Sequence, residues 1–357
     1  MKTNMKKLIF CVMAATVALA ACNKTTDQNL APNHDSTVEL GNQVCISFTD
    51  EPQSRAFFAV QSDAEEWEKS LSSVTIMVFK QADGTLVFRH DLTADEVTAK
   101  KCTFGLPWSL GSATLEFYAI ANYDVPTSVD TETKLKALHD VDCSEYNGTI
   151  DEVWEACKRP AGFTMSAVVE SPIPANGAPM NMTMALKRTV AKFAIRITVD
   201  PQFTASYPGK IKSVEATFSR VTLSSSSIIA PASGYYTPVG PYGPDLFQVS
   251  KEISDGVFAN VFYLSESGQR SVSGNTMLTL SIRVYYDADG NFATTNDVSD
   301  GAYLINVNAD NGGIVFRNGY YRIDASLKTL SGYGIIATIT PSSWTVVGTN
   351  SVDLGSN

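Results

Sequence analysis

Cys22 is the residue whose chemistry is most clearly marked in this sequence. Lys6 and Lys7 precede a short apolar run that ends in Leu19-Ala20-Ala21-Cys22. A basic start, a short apolar stretch and small residues before a cysteine are typical of a lipoprotein signal peptide. The pattern predicts cleavage between Ala21 and Cys22 and attachment of a diacylglyceryl group to the Cys22 thiol. We therefore expect a precursor that leaves the cytoplasm and is held to a membrane by lipid.

Side chains that could catalyse a reaction are sparse. The histidines are His34, His90 and His139, and no nucleophile elbow, His-Glu-x-x-His zinc motif or phosphate-binding glycine loop occurs. Residues 287–291, Asp-Ala-Asp-Gly-Asn, resemble the start of a calcium loop, but the acidic ligand that should close it is misplaced, and Asp-Gly is also ordinary turn chemistry. The sequence predicts no enzyme, no cofactor and no metal site.

A tyrosine- and proline-rich stretch is the strongest candidate for ligand binding. Tyr235, Tyr236 and Tyr242 lie among prolines that would fix their positions. Such rings could form a platform that stacks on sugars or binds a protein. A long loop that packs on its own domain explains the stretch equally well.

The cysteines leave their pairing open. Besides Cys22, the chain beyond the predicted signal peptide contains Cys45, Cys102, Cys143 and Cys157, an even number for an oxidising compartment. Cys143 and Cys157 bracket a short segment and are the first candidates for a disulfide. Four buried thiols are an equally supported alternative.

Composition and periodicity together define the fold class. A net charge of −10 argues against nucleic acid as a partner, and 44% hydrophobic residues can bury a real core. Alternating apolar residues predict many strands, most clearly at 190–199, whereas helix candidates (63–71, 131–139 and 149–158) are few. The sequence predicts an all-β protein with a few short helices in the first half. We expect a signal peptide (1–21), a flexible tether (22–42) and two tandem β-sandwich domains (43–187 and 188–357).

Five short segments, in their order along the chain, carry a resemblance to a known family. Gln53-Ser54-Arg55-Ala56-Phe57 follow a predicted strand at Val44–Phe48. The other four segments are Leu186–Lys192 (LKRTVAK), Phe262–Glu266 (FYLSE), Arg317–Tyr321 (RNGYY) and Trp344–Gly348 (WTVVG). Together with the lipoprotein signal, this order resembles the fimbrillin family, the FimA-type subunits of type V pili. The likeness covers nearly the whole chain after the signal peptide.

The resemblance implies both a fold and a mechanism. The two domains should be transthyretin-like, and the lipidated precursor should reach the outer membrane. An arginine-specific protease should then cut between Arg55 and Ala56 and release the strand Val44–Phe48. A donor strand from another pilus subunit should fill the vacated groove. The donor region implied here runs from Trp344 to Leu354 and includes Val346, Val347 and Val352. The product would be a fimbrium at the cell surface that supports adhesion to a host protein or glycan.

Cys45 complicates this expectation, because it lies on the strand that should leave. A disulfide from Cys45 to Cys102 would retain the strand after cleavage, as an anchor or accessory subunit would require. The competing hypothesis is a surface lipoprotein that binds glycans or proteins through the tyrosine-rich loop and never polymerises.

Overall fold

The computed structural model describes residues 40–50, 65–221, 227–230, 242–266, 278–294, 297–299, 303–306, 315–330, 342–343 and 350–354. Within them the chain is mostly β-strand, as predicted. Residues Glu39–Asn357 form one compact unit. Among the described residues, no helix is long and apolar enough to cross a lipid bilayer.

The first sheet contains seven strands that make two layers. The strands are β1 (Leu40–Asp50), β2 (Val74–Lys80), β3 (Leu86–Asp91), β4 (Lys101–Pro107), β5 (Thr114–Ala121), β6 (Met165–Pro172) and β7 (Met180–Arg188), in the order β3-β2-β5-β6-β7-β1-β4. β6 and β7 pair only at Met165–Arg188 and Ser166–Lys187. Residues of β1 and β2 nevertheless share one apolar cluster. The sheet therefore turns over at this junction, and the layer β7-β1-β4 faces the layer β3-β2-β5-β6.

Two further sheets hold the remaining strands. The five-stranded sheet contains β9 (Lys210–Ser219), β10 (Leu246–Val249), β13 (Thr279–Asp287), β14 (Asp297–Ser299) and β15 (Tyr303–Asn306). The six-stranded sheet contains β8 (Val190–Val199), β11 (Lys251–Ser254), β12 (Val257–Ser265), β16 (Gly319–Leu327), β17 (Ser342–Ser343) and β18 (Asn350–Leu354). β8 is central in the six-stranded sheet, where it pairs antiparallel with β12 and parallel with β16.

Two large apolar clusters form the core. One is built from residues between Val44 and Val190, joined by Val261 and Tyr263. The other is built from residues between Ala191 and Leu330, joined by Cys143. Phe193 and Tyr321 stack in the second cluster with ring centroids 4.5 Å apart. The predicted division into transthyretin-like domains at residues 43–187 and 188–357 stays a prediction.

The helices are short and partly where the sequence placed them. They are α1 (Ala94–Ala99), α2 (Glu132–Lys136), α3 (Ile150–Glu155) and α4 (Pro201–Ser206), with 3₁₀ turns at Glu66–Lys69, Trp108–Leu110 and Cys143–Tyr146. The expectation that helices are confined to the first half is wrong, because α4 lies after β8. Its cause is local: Asp200 accepts a 2.8 Å hydrogen bond from the Gln202 N–H, and Pro201 has the φ that a first helical residue needs.

The predicted tether ends earlier than expected. Residues 40–42 were expected to belong to it, but β1 already begins at Leu40, which pairs with Pro107. Asn42 also donates a 3.4 Å hydrogen bond to the Pro107 carbonyl. Pairing with β4 therefore orders a polar stretch that lacks any strand pattern of its own.

The predicted Cys143–Cys157 disulfide is wrong. No disulfide joins the four described cysteines, and Cys45, Cys102 and Cys143 are buried thiols, as the alternative expected, whereas Cys157 is only partly buried. Cys143 belongs to the second apolar cluster whereas Cys157 packs against the first, so the two are held by different cores. Burial raises the pKa of both thiols to about 11, which leaves them protonated and unreactive at neutral pH.

Candidate functional site: the first strand and a buried polar cluster

β1 is the central strand of its layer. It pairs antiparallel with β4, from Leu40–Pro107 to Ser47–Lys101, and parallel with β7, from Val44–Met180 to Asp50–Leu186. Both edges of the strand are thus hydrogen-bonded. Its removal would leave β4 and β7 with unpaired N–H and C=O groups that face each other across a vacant position.

The inner face of β1 is fully apolar, whereas its outer face combines polar residues with the buried Cys45. Val44 and Ile46 are 0% exposed and Phe48 is 5% exposed, and all three belong to the first apolar cluster. Burial of such side chains is worth about 1.5–3 kcal/mol each. On the outer face, the Ser47 hydroxyl lies 3.1 Å from that of Thr183 on β7. β1 is therefore held by backbone pairing and by three inserted side chains.

Cys45 does not tie β1 to the sheet. Ile46 stands directly opposite Cys102, so the two share a face, and Cys45 points to the other face beside Thr103. A Cys45–Cys102 disulfide therefore does not form. Burial, then the Glu96 carboxylate, raises the pKa of the Cys102 thiol to about 12.

Immediately after the segment that contains Arg55, the chain enters a buried group of charges. We call Glu68, Arg188, Lys192, Tyr263 and Asn318 the central cluster. Lys192 Nζ lies 2.6 Å from Glu68 Oε1, and the Tyr263 hydroxyl donates to the same oxygen at 2.8 Å. Arg188 donates to the Glu68 carbonyl at 2.7 and 2.9 Å and to Asn318 Oδ1 at 2.9 Å. Contacts from Arg188, Lys192 and Tyr263 to Glu68 thus fix the 3₁₀ turn at Glu66–Lys69 against β7, β8 and β12.

The charges in the central cluster compensate each other. Burial alone would raise the pKa of Glu68, but the positive charges of Lys192 and Arg188 and the hydrogen bonds from Lys192 and Tyr263 lower it. Burial, followed by the Glu68 carboxylate, raises the pKa of Tyr263 well above 10. The ammonium of Lys192 also lies 5.9 Å from the centre of the Trp67 ring. Glu68 is therefore ionised and Tyr263 neutral at physiological pH.

A second polar group lies beside the central cluster. Asp140 accepts hydrogen bonds from the Tyr146 hydroxyl at 3.0 Å, from Thr164 Oγ1 at 2.8 Å and from Thr189 Oγ1. Arg159 lies 3.5 Å from the same carboxylate. Thr189 follows Arg188, so consecutive residues serve neighbouring networks. Sequence reasoning missed Asp140, which stands in a segment without periodicity.

A third polar group is the ion pair between Arg317 and Glu266. Arg317 binds both carboxylate oxygens of Glu266, at 2.6 and 2.9 Å. It also donates to the carbonyls of Ser227 and Ile228. Such a fork fixes both position and orientation. The RNGYY and FYLSE segments therefore meet here, and the LKRTVAK segment meets RNGYY at Arg188–Asn318.

The described residues do not meet the requirements of a metal site. They contain no group of three or more His, Cys, Asp or Glu that could hold a metal ion. In the loop at 287–291, Asp287 Oδ1 accepts the N–H groups of Asp289 and Gly290 at 3.1 Å. Asp287 therefore closes an Asx-type turn at this loop.

Most of the predicted site residues lie outside the described part of the chain: Ala21, Cys22, Arg55, Ala56, Tyr235, Tyr236, Trp344, Val346 and Val347. Tyr242 is described and 37% exposed. The tyrosine platform stays a prediction. Val352 and Leu354 lie on β18, which pairs parallel with β16 of its own chain. Part of the predicted donor region is thus already paired within its own chain.

Comparison with known proteins identifies the fold. No protein-family model matches the sequence, and no curated protein matches it. The crystal structure of a candidate cell adhesion protein from Bacteroides eggerthii superimposes on this chain with a TM-score of 0.55 and 14% sequence identity. The match covers 90% of this chain and 100% of the other. The crystal structure of a fimbrilin from Porphyromonas gingivalis superimposes with a TM-score of 0.54 and 15% sequence identity. This match covers 89% of this chain and 98% of the other. The chain therefore has the fold of a fimbrilin, and the resemblance seen in the sequence is confirmed for the fold.

Proposed function

We propose that this chain is a structural pilus subunit that polymerises by strand exchange after its first strand has been removed. The position of β1 carries the proposal. It is the central strand of its layer, it fills the core with Val44, Ile46 and Phe48, and only the segment containing Arg55 joins it to the following 3₁₀ turn. The fimbrilin and the candidate adhesion protein that share the fold support the same class of function.

Cleavage between Arg55 and Ala56 by an arginine-specific protease would have two effects at once. It would separate β1 from the rest of the chain, and it would separate the subunit from the lipid on Cys22, since both lie before Arg55. Because Cys45 forms no disulfide, non-covalent contacts then hold β1. The precursor is thus anchored in the outer membrane, and the processed subunit is free to join a fimbrium.

The vacated groove would bind an extended strand from another subunit. β4 and β7 offer backbone donors and acceptors, and the first apolar cluster offers the space left by three side chains. We place the donor in the part of the chain after Leu330, where the sequence analysis proposes Trp344–Leu354. The assembled fimbrium would support adhesion to a host protein or glycan.

The test uses the full-length precursor and a choice of protease. Arg55→Lys keeps the charge but removes the arginine site, so limited digestion with an arginine-specific protease should no longer yield polymers. Limited digestion of the same variant with a lysine-specific protease should restore them. Polymers are scored as denaturant-resistant ladders on gels and as filaments by electron microscopy. Equal polymer yield from Arg55→Lys and the unchanged chain under the arginine-specific protease would disprove processing at Arg55.

A further inference from the structure

Trp108 covers the beginning of β1 in an unusually close contact. The residue starts the 3₁₀ turn that follows β4, and its side chain is 50% exposed. A Cβ atom built on Gly41 would fall within the indole ring. The other end of the ring approaches Gly177, where a Cβ would lie 3.3 Å from Trp108 Cη2. With the ring in this position, only glycine fits at position 41.

Gly41 is also the point that sets the register of β1. Leu40 pairs with Pro107 and Asn42 pairs with Leu106, so Gly41 is an extra residue, a β-bulge directly under the ring. From this bulge the inward residues follow at fixed intervals: Val44, Ile46 and Phe48 stand three, five and seven positions after the glycine. A strand shifted by one residue would turn its apolar side chains outward.

We propose that Trp108 determines which strand refills the groove, and that the matching strand is Gly332–Ile339 of a second copy of this chain. The inference deepens the proposed function and rests on it. Trp108 belongs to the part of the chain that remains after cleavage, so it covers the first position of any replacement strand. The replacement needs glycine there and apolar residues three, five and seven positions later.

Three glycines between residues 331 and 350 can be compared by this rule. After Gly348 the inward positions would receive Ser351, Asp353 and Gly355, which are not apolar side chains. After Gly334 they would receive Ala337, Ile339 and Pro341. Proline cannot replace Phe48, whose N–H donates to the Lys100 carbonyl at 2.9 Å.

Gly332 satisfies the rule. Ile335, Ala337 and Ile339 would take the places of Val44, Ile46 and Phe48. On the outer face, Thr338 would take the place of Ser47 and present a hydroxyl where Ser47 meets Thr183. Pro341 would then stand at the position of Asp50, the end of β1. This segment matches β1 better than the proposed region Trp344–Leu354 does.

The first test concerns the intact precursor. Gly41→Val should expose β1, measured as faster cleavage within residues 40–50 by a non-specific protease. Trp108→Ala should restore protection of Gly41→Val because it removes the obstructing ring. If Gly41→Val is as protected as the unchanged chain, or if Trp108→Ala gives no rescue, Trp108 does not impose glycine and the proposal fails.

The second test measures peptide binding to the processed protein. A peptide of residues 331–341 should bind, and Gly332→Val in the peptide should weaken binding by about tenfold or more, as overpacking of a close contact predicts. Gly334→Val is the matched control, because it would stand at the exposed position of Gln43 and should change affinity by about twofold at most. A Trp108→Ala protein should bind the Gly332→Val peptide and the unchanged peptide with equal affinity.

The controls separate this proposal from the proposed function. A peptide of β1 itself, residues 40–50, should rebind to the vacated groove. If it rebinds but residues 331–341 do not, or if a peptide of residues 343–354 binds more tightly, the donor assignment fails and the strand-exchange mechanism stands. If the β1 peptide does not rebind although protease treatment has removed β1, the groove does not persist and the proposed function itself fails.

Discussion

Glu68 and Lys192 form an ion pair of 2.6 Å whose two side chains are completely buried, although 124 positions separate them in the sequence. A buried pair contributes little net stability compared with apolar residues, but loss of one partner leaves an uncompensated charge. The pair therefore specifies where the 3₁₀ turn at Glu66–Lys69 must lie. It fixes the first described residues after the proposed cleavage segment.

Truncation of one partner of this pair should be severe. We expect Lys192→Met to lower the free energy of unfolding by about 3–5 kcal/mol, because Glu68 stays buried without its main counter-charge. Glu68→Leu combined with Lys192→Met should cost less than Lys192→Met alone. Lys134→Met is the control, because its partner Asp130 is 64% exposed and such pairs are worth about 1 kcal/mol or less. Urea titrations followed by circular dichroism measure all three. A single variant as mild as the control would show that the pair is not needed.

The lowered pKa of Glu68 predicts acid sensitivity. Because its pKa is lower in the folded state than in the unfolded state, the unfolded chain takes up the proton first as pH falls. The stabilisation by Glu68 is therefore complete above about pH 5 and is lost as pH falls through the ordinary glutamate range towards the folded pKa. Glu68→Gln should be less stable at pH 7 and show a flatter decline between about pH 5 and pH 3. Parallel pH profiles for wild type and variant would contradict this assignment.

Ile46 should contribute to the stability of the precursor but not to the stability of polymers formed after cleavage. Ile46→Ala should destabilise the precursor by about 2–5 kcal/mol, since it creates a cavity under β1. The processed subunit has lost β1, so its polymers should be unaffected. Thr49→Ala, at an exposed position of the same strand, should change neither. The measurement is the unfolding midpoint of the precursor beside the stability of polymers in denaturant. Weakened polymers would mean that β1 remains in the assembled subunit.

Cys102 offers a chemical readout of the groove. In a variant that keeps Cys102 as its single cysteine, burial and the raised thiol pKa should make labelling by a maleimide slow in the precursor. Release of β1 should accelerate labelling, since Ile46 no longer covers the thiol. Polymerisation should slow it again. The matched control is a variant that keeps only Cys143, which lies in the other apolar cluster and should label slowly in all three states. Constant labelling of Cys102 throughout would argue against an open groove.

The strands were predicted well because alternation of apolar and polar residues is visible within each short segment. The alternation at 190–199 places Ala191, Phe193, Ile195, Ile197 and Val199 on the core face; the first four are buried, and Val199 is partly buried against the same cluster. The same pattern placed Lys192 on the opposite, exposed face, yet Lys192 is 0% exposed. Lys192 is buried because it forms an ion pair with Glu68. The periodicity within β8 cannot predict a contact with a residue 124 positions away.

Two short helices had signals that were present but not used. α1 begins with a capping box in which Thr93 and Glu96 exchange hydrogen bonds, and α4 begins with Asp200-Pro201. Both helices are six residues long, too short for an apolar stripe to appear. The position of β1 between β4 and β7 could not be read from the sequence, because pairing order depends on contacts between distant segments.

The parallel pairing of β8 with β16 determines how the folded chain would bear mechanical tension. A pull between the first half of the chain and the region after β16 acts on the N-terminal end of β8 and the C-terminal end of β16. In a parallel pair these ends lie at opposite ends of the ladder, which runs from Tyr320–Lys192 to Leu327–Val199. The load is therefore applied in shear, and all the hydrogen bonds of the ladder resist together instead of opening one after another. A fibre built from such subunits would resist the drag of flowing liquid.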